Sequence, residues 1–407
     1  MKKIFLLILS IMLITGCTAN KDTHEPTLPK VILGNERIDE PEYNKLLQNK
    51  RLGIFTNQSG VNSKMELTVD RLNNKYGLQA IYVPEHGFFG AITAGEQVDD
   101  TYYNGIKVFS LYGKDRKPSA DMLAPIDAMV IDIQDVGTRH YTYFSSLAYI
   151  MEECAKLDKE VIILDRPNPL GGAMQGPVLK AENSTFIGLY TIPLRHGLTI
   201  GEFAQYINKE EKINCNLSVI PMKNWNHNML WQDTGLEWVQ SSPLIPTADT
   251  ALLYAVTGVC GDTNISVGVG TAKPFHFVGA DYADAQKLKV ALDALNIKGV
   301  LFRSASYIPR YGNNKGKSIQ GVEIYLLEPH KINLPELEYQ LAYTFRQLYP
   351  EQIKYPERGY RQPGYKVDIA LGESSMRIGE NPQTVFTRWQ NECAAFHKKA
   401  EAYLLYK

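Results

Sequence analysis

Four hundred and seven residues carry 43 Lys+Arg against 44 Asp+Glu, with 44% hydrophobic and 21% charged residues. A chain of this length exceeds one ordinary core, at roughly 150 residues per domain, and its balanced charge excludes the basic excess of a nucleic-acid binder. Intrinsic disorder is excluded as well, since disordered chains combine low hydrophobicity with high net charge.

The chain opens on a leader. Lys2 and Lys3 precede an apolar run over 4–14, shorter than the ~20 residues of a membrane span, so residues 1–16 read as a signal peptide. Ile14-Thr15-Gly16-Cys17 resembles the bacterial lipobox, whose cysteine is acylated and becomes the first mature residue. Cys17 would then anchor the protein to a bacterial membrane by lipid, facing periplasm or cell exterior. Residues 17–35, polar and containing Pro26 and Pro29, read as a tether. The remaining cysteines, Cys154, Cys215, Cys260 and Cys393, are widely spaced and lack a CxxC pair, which points to buried free thiols.

Strand-like apolar runs come next, at 52–56, 78–83, 107–111, 128–133 and 161–164. Helical patterns lie between them, the clearest over 143–157, where Phe144, Leu147, Ala148, Met151 and Ala155 share a face. Such alternation builds a mostly parallel sheet with helices on both faces, so residues 36–240 are expected to form a Rossmann-like α/β domain. Thr199 and Glu202 make a capping box for a helix over 199–209, and a further strand is expected over 217–222. The polar stretch 223–242, with Trp225, Trp231 and Trp238, then changes the texture of the chain. Beyond it, 241–407 read as a smaller α+β domain, with strands at 275–278, 300–304 and 322–327 and helices at 283–295, 334–349 and 382–405.

Ligands of open α/β sheets bind beyond the carboxyl ends of the strands, so the residues just past each strand are informative. The exits read Thr56-Asn57-Gln58-Ser59-Gly60, Pro84-Glu85-His86-Gly87, Asp132-Ile133-Gln134-Asp135-Val136-Gly137-Thr138-Arg139-His140-Tyr141 and Asp165-Arg166-Pro167-Asn168-Pro169. Together they would make a polar pocket rich in carboxylates. GxSxG, HExxH, GxGxxG and GxxxxGK[ST] are all missing from the strand exits, so neither cofactor nor metal is expected. Acid–base chemistry by Asp, Glu and His suits glycosidic bond cleavage, in which a protonated carboxyl donates to the leaving oxygen. Glu85, after Pro84 at the end of an apolar strand, is the candidate acid, because partial burial raises a carboxyl pKa. His86 is a second proton carrier. Asn57, Asp135, Arg139, Asp165, Arg166, Asn168 and His196 are candidate substrate binders, with Arg139, Arg166 or Arg195 suited to a substrate carboxylate. Tyr141 would face a sugar ring. Structural readings stand beside these: core packing for Tyr141, and buried ion pairs for Asp132 and Asp165-Arg166.

The strings PEHGFFG (84–90), SLYG (110–113), DIQDVGTRHYTY (132–143), LDRPNPLGG (164–172), IPLRHGLTIGE (192–202) and YLLY (403–406) resemble the NamZ family of exo-β-N-acetylmuramidases. The resemblance implies a Rossmann-like domain, a smaller C-terminal domain, a cleft between them, and release of terminal N-acetylmuramic acid from non-reducing ends of peptidoglycan glycans. It also implies Glu85 as the catalytic acid. Where many members read approximately Glu-Gly-Thr-Asn, Ser, Gly-Arg-Gly-Thr, this chain reads Gly261-Asp262-Thr263-Asn264-Ile265-Ser266-Val267-Gly268-Val269-Gly270-Thr271. Asp262 stands in for the glutamate one position on, beside Asn264 as a binder; nothing nearby in sequence replaces the arginine. The second catalytic carboxyl is open between Asp262, Asp132 and Glu96, as are retention, inversion and assistance by the substrate's acetamido group. A sugar- or muropeptide-binding lipoprotein without catalysis is the alternative.

Overall fold

The computed structural model describes residues 30–93, 95–113, 116–358 and 364–407. The leader, Cys17 and most of the expected tether lie outside them. Nine strands come first: β1 (Leu52–Thr56), β2 (Leu78–Val83), β3 (Thr101–Tyr103), β4 (Ile106–Ser110), β5 (Ala128–Asp132), β6 (Glu160–Leu164), β7 (Gln175–Val178), β8 (Pro193–Arg195) and β9 (Leu217–Ile220). Seven of them form one sheet in the order β3-β4-β2-β1-β5-β6-β9, with β3 antiparallel to β4 and every other pair parallel. Its central strands are apolar throughout because both faces are covered. Ile54, Val130 and Ile162 enter one core while their neighbours Phe55, Ile131 and Ile163 enter the other, the period of two that a pleated strand imposes. Each such side chain contributes about 1.5–3 kcal/mol on full burial. The strand order reverses between β1 and β5, and that switch point is where loops part to form a crevice.

The second domain holds β10 (Phe277–Ala280), β11 (Val300–Tyr307) and β12 (Ile319–Leu326), antiparallel in the order β10-β12-β11. Helix Ala285–Asp293 covers this sheet, and helix Leu334–Leu348 packs against that helix and against β7 and β8 of the first domain. The long helix Pro382–Ala400 packs against β7 of the first domain, and the chain then returns to the large sheet, where Tyr406 is buried with Val31, Leu33 and Met222. The expected architecture, a mostly parallel sheet domain followed by a smaller α+β domain, is present.

Several local expectations change. The tether ends before residue 31, since Val31, Leu33 and Asn35 are buried and Ile32 pairs with Lys223. Strands β3, β7 and β8 are three or four residues long, too short to show alternation. Helix Ala248–Thr257 has Ala251, Leu252, Leu253, Ala255 and Val256 buried on several sides, which erases amphipathic periodicity. The capping box at Thr199 and Glu202 forms as read. Cys154, Cys215, Cys260 and Cys393 are buried free thiols, and no helix among the described residues is long and apolar enough to cross a membrane.

Candidate active site

Glu85 leaves β2 behind Pro84 and is half-buried. Its Oε1 accepts the Gly95 N–H at 2.9 Å, and its Oε2 accepts the Thr142 hydroxyl at 3.0 Å. Thr142 precedes helix Tyr143–Lys156 yet does not cap it with its side chain; the hydroxyl is turned to Glu85 instead. The exits of β2 and β5 are thereby joined across that of β1, over the switch point. Tyr112, just past β4, stands beside this carboxylate, its phenol pushed up to about 12 by burial and then by the charge of Glu85.

Asp262 comes from the second domain. It closes the short turn Cys260–Asp262, which buried Glu338 secures by accepting the Cys260 N–H at 3.0 Å. Burial pushes the Asp262 carboxyl up to about 6, against the opposing pull of Lys366 and Arg358. Glu338 is pushed up to about 8, again by burial. Tyr254 is buried, and burial first, then the charges of Asp262, Tyr141 and Glu85 in turn, raise its phenol well above the usual range.

Most of the other candidates serve the fold. His86 takes a left-handed φ of 76° and its Nδ1 lies 2.7 Å from the Ile92 carbonyl. A carbonyl only accepts, so Nδ1 carries the proton and the ring closes its own loop. Asn57 is buried, donating to the Tyr143 hydroxyl at 2.9 Å and accepting the Ser59 N–H. Asp132 is ion-paired to Arg166, whose Nη2 also donates to the Val61 carbonyl; this pair accounts for both and removes Asp132 as a catalytic carboxyl. Asp165 accepts from the N–H groups of Arg166 and Gly201 and the hydroxyls of Thr199 and Tyr406. Asn168 closes a turn to Leu170 and donates to the Leu198 carbonyl.

Arg139, expected to hold a substrate carboxylate, donates to the carbonyls of Pro177 at 2.8 Å, Ile192 at 2.7 Å and Leu371 at 2.5 Å. It fastens the β7–β8 pair to the end of helix Lys366–Leu371, and burial pushes its pKa down to about 9. Gly372, at φ 93°, is required there, since a Cβ would sit 2.5 Å from the guanidinium. Tyr141 donates to Ser241 at 3.0 Å and packs edge-on to Tyr143. His196 Nδ1 accepts the Leu198 N–H at 3.2 Å, which puts its proton on Nε2, 3.8 Å from Asp135. Asp135 accepts the Gly137 N–H at 2.7 Å, and both residues are buried. Asn264 accepts the Lys354 N–H and donates to the Gln352 carbonyl, and Glu96 is exposed.

A shallow hollow lies over Ser59, Gln134, Arg166 and Trp231, and neither Glu85 nor Asp262 lines it. Its arginine is already paired to Asp132. Thr142, Tyr112, Tyr254 and Glu338 escaped the sequence reading. Thr142 and Tyr112 lie inside the quoted strings 132–143 and 110–113, but nothing in those strings marks a hydroxyl that reaches another strand's exit.

Residues 52–249 match the family model described as exo-β-N-acetylmuramidase NamZ, N-terminal, and residues 252–406 match its C-terminal counterpart. The chain belongs to the NamZ family. Peptidoglycan β-N-acetylmuramidase NamZ of Bacillus subtilis (strain 168) is 37% identical over 420 residues, covering 100% of both chains. Two crystal structures of DUF1343 family proteins from Bacteroides fragilis NCTC 9343 are similar, one with a TM-score of 0.83 at 34% identity and the other 0.72 at 28%. Each comparison covers 93% of this chain and 99% of the other. This NamZ-family chain is a glycoside hydrolase.

Proposed function

We propose that this chain is a peptidoglycan β-N-acetylmuramidase that acts from the non-reducing end and releases terminal β-1,4-linked N-acetylmuramic acid. The carrying observation is the half-buried Glu85 carboxylate, fixed by the Gly95 N–H and the Thr142 hydroxyl and free of any guanidinium among the described residues. The full-length likeness to the Bacillus subtilis enzyme supports the substrate class, and the family description supports exo action.

Glycoside hydrolysis divides labour between a proton donor and an ionised carboxylate, and environments that push two carboxyls apart assign the roles. Asp262, held up to about 6 by burial, keeps a proton into the mildly acidic range and is the donor to the leaving oxygen. Glu85, with both oxygens accepting hydrogen bonds, is the carboxylate that faces the anomeric centre. This reverses the role that strand position and the family resemblance both suggested for Glu85 and keeps both residues in the mechanism. Glu338 sets Asp262 by fixing its turn.

The string Ile14-Thr15-Gly16-Cys17 supports export and lipid anchoring at Cys17, which would hold the enzyme on the membrane within reach of wall fragments. The deciding experiment is mass spectrometry of soluble products from peptidoglycan pretreated with an endo-acting muramidase or glucosaminidase. Free N-acetylmuramic acid as the sole new small product is expected; internal fragments alone would refute exo action.

A further inference from the structure

The junction around Glu85 and Asp262 carries cations that its own carboxylates do not bind. Arg116 lies over the ring of Phe186 at 4.1 Å and over that of Tyr112 at 5.0 Å. Arg358 arrives from the second domain, and its Nη1 is buried without a hydrogen-bond partner among the described residues. Neither guanidinium forms an ion pair with a described carboxylate within 4.0 Å. Burial pushes the pKa of Arg358 down, the charge of Arg116 pushes the same way, and Asp262 and Tyr112 oppose them. A guanidinium with a buried, unsatisfied donor is an unfavourable arrangement until an acceptor meets it.

The backbone holds Arg358 in that place. Its N–H donates to the Gly364 carbonyl at 2.8 Å, Glu357 pairs with Tyr365, and the Lys366 N–H donates to the Pro356 carbonyl at 3.0 Å. Upstream, Asn264 clamps Gln352 and Lys354. Asn264 thus positions the segment that delivers the arginine, and does so from the turn that delivers Asp262. The arginine absent from the family string corresponds to Val269, which lies between Gly268 and Gly270, both at positive φ, and packs on Gly312. A cation missing at 269 in the sequence is present beside Asp262 in space.

We propose that Arg358 and Arg116 together bind the lactyl carboxylate of N-acetylmuramic acid and so select muramic acid over N-acetylglucosamine. The inference rests on the muramidase reading above. A carboxylate matches the guanidinium fork in shape and charge. Arg116, stacked on two rings, keeps its orientation at low entropic cost, and Arg358 gains the partner its Nη1 lacks. A sugar without the lactyl group leaves the Arg358 Nη1 unpaired, and discrimination of this kind is strong because an unpaired buried donor is costly.

The test is calorimetric titration of the full chain with free N-acetylmuramic acid and, separately, with N-acetylglucosamine. The acid should bind more tightly, and Arg358→Ala should weaken it on the order of 10–100-fold while changing the ratio far more than the affinity for N-acetylglucosamine. Arg116→Ala should act in the same sense, and Arg358→Lys should restore part of the preference. If Arg358→Ala fails to fold, as a thermal melt would reveal, the Arg116 variants carry the same readout. A ratio of the two affinities unchanged in the folded variants, or no preference for the acid in the unaltered protein, overturns the proposal. Hydrolysis of a synthetic muramic-acid glycoside is scored separately. Its absence with acid preference intact defeats the enzymatic reading, and its presence with no acid preference defeats this inference.

Discussion

The exits of β6 and β2 look alike in sequence and differ in what they leave unfilled. At the exit of β6, Asp165 is fully buried and accepts two backbone N–H groups and two hydroxyls, one from Tyr406 at the far end of the chain. At the exit of β2, Glu85 is half-buried and accepts one N–H and one hydroxyl. The lesson is that a carboxylate at a strand exit marks a site by its unmet capacity. Asp165 has none left to offer a ligand, so it joins the chain terminus to the sheet, whereas Glu85 is half-buried and accepts only two hydrogen bonds.

Breaking the two exits separately should separate activity from stability. The largest effect is expected from Glu85→Gln, which keeps the side chain's shape but removes its charge. Release of N-acetylmuramic acid should fall by a factor on the order of 10²–10⁴, with the melting temperature moving by less than about 2 °C. Undiminished turnover would take Glu85 out of the mechanism. Asp165→Ala should do the opposite, costing about 3 kcal/mol or more because several buried donors lose their acceptor. Urea unfolding followed by activity per folded molecule checks this, and a large loss of specific activity in folded protein would contradict it. Tyr406→Phe removes one of those donors and the acceptor for the Met222 N–H, so about 1–2 kcal/mol is expected, again with activity retained.

The smallest effect sharpens the role of Asp262. As proton donor with a pKa of about 6, it is protonated below that value and ionised above it, so kcat/KM should decline as pH rises through about 6. The cations Lys366 and Arg358 pull that pKa down, so Lys366→Ala should move the limb to higher pH, by up to about one unit. A profile that instead declines on the acid side of 6 would make Asp262 the base and return proton donation to Glu85.

Much of this was legible from one chain. The alternation of apolar runs with helical faces gave the sheet domain, because β1, β2, β5 and β6 are buried on both sides and therefore continuously apolar. Glu85 and Asp262, the carboxyls of the proposed mechanism, were singled out in the sequence, one by strand exit and one by its place in a family string. Asn57, Arg139, Asp165, Asn168 and His196 were read as binders because a polar residue at an exit looks the same whether its partner is a ligand or a distant backbone group. The Arg139 guanidinium is saturated by the Pro177, Ile192 and Leu371 carbonyls, and no local pattern announces such acceptors.

The sequence by itself determined the layered architecture, the helix caps and the supply of carboxylates, since periodicity, capping and side-chain chemistry act over a few residues at a time. Only the tertiary structure decided which polar groups are mutually satisfied and which remain open, since that depends on pairings such as Asp165 with Tyr406, or Arg358 beside Asp262. Those pairings join residues remote along the chain, and the cost of burying an unpartnered charge makes them decisive.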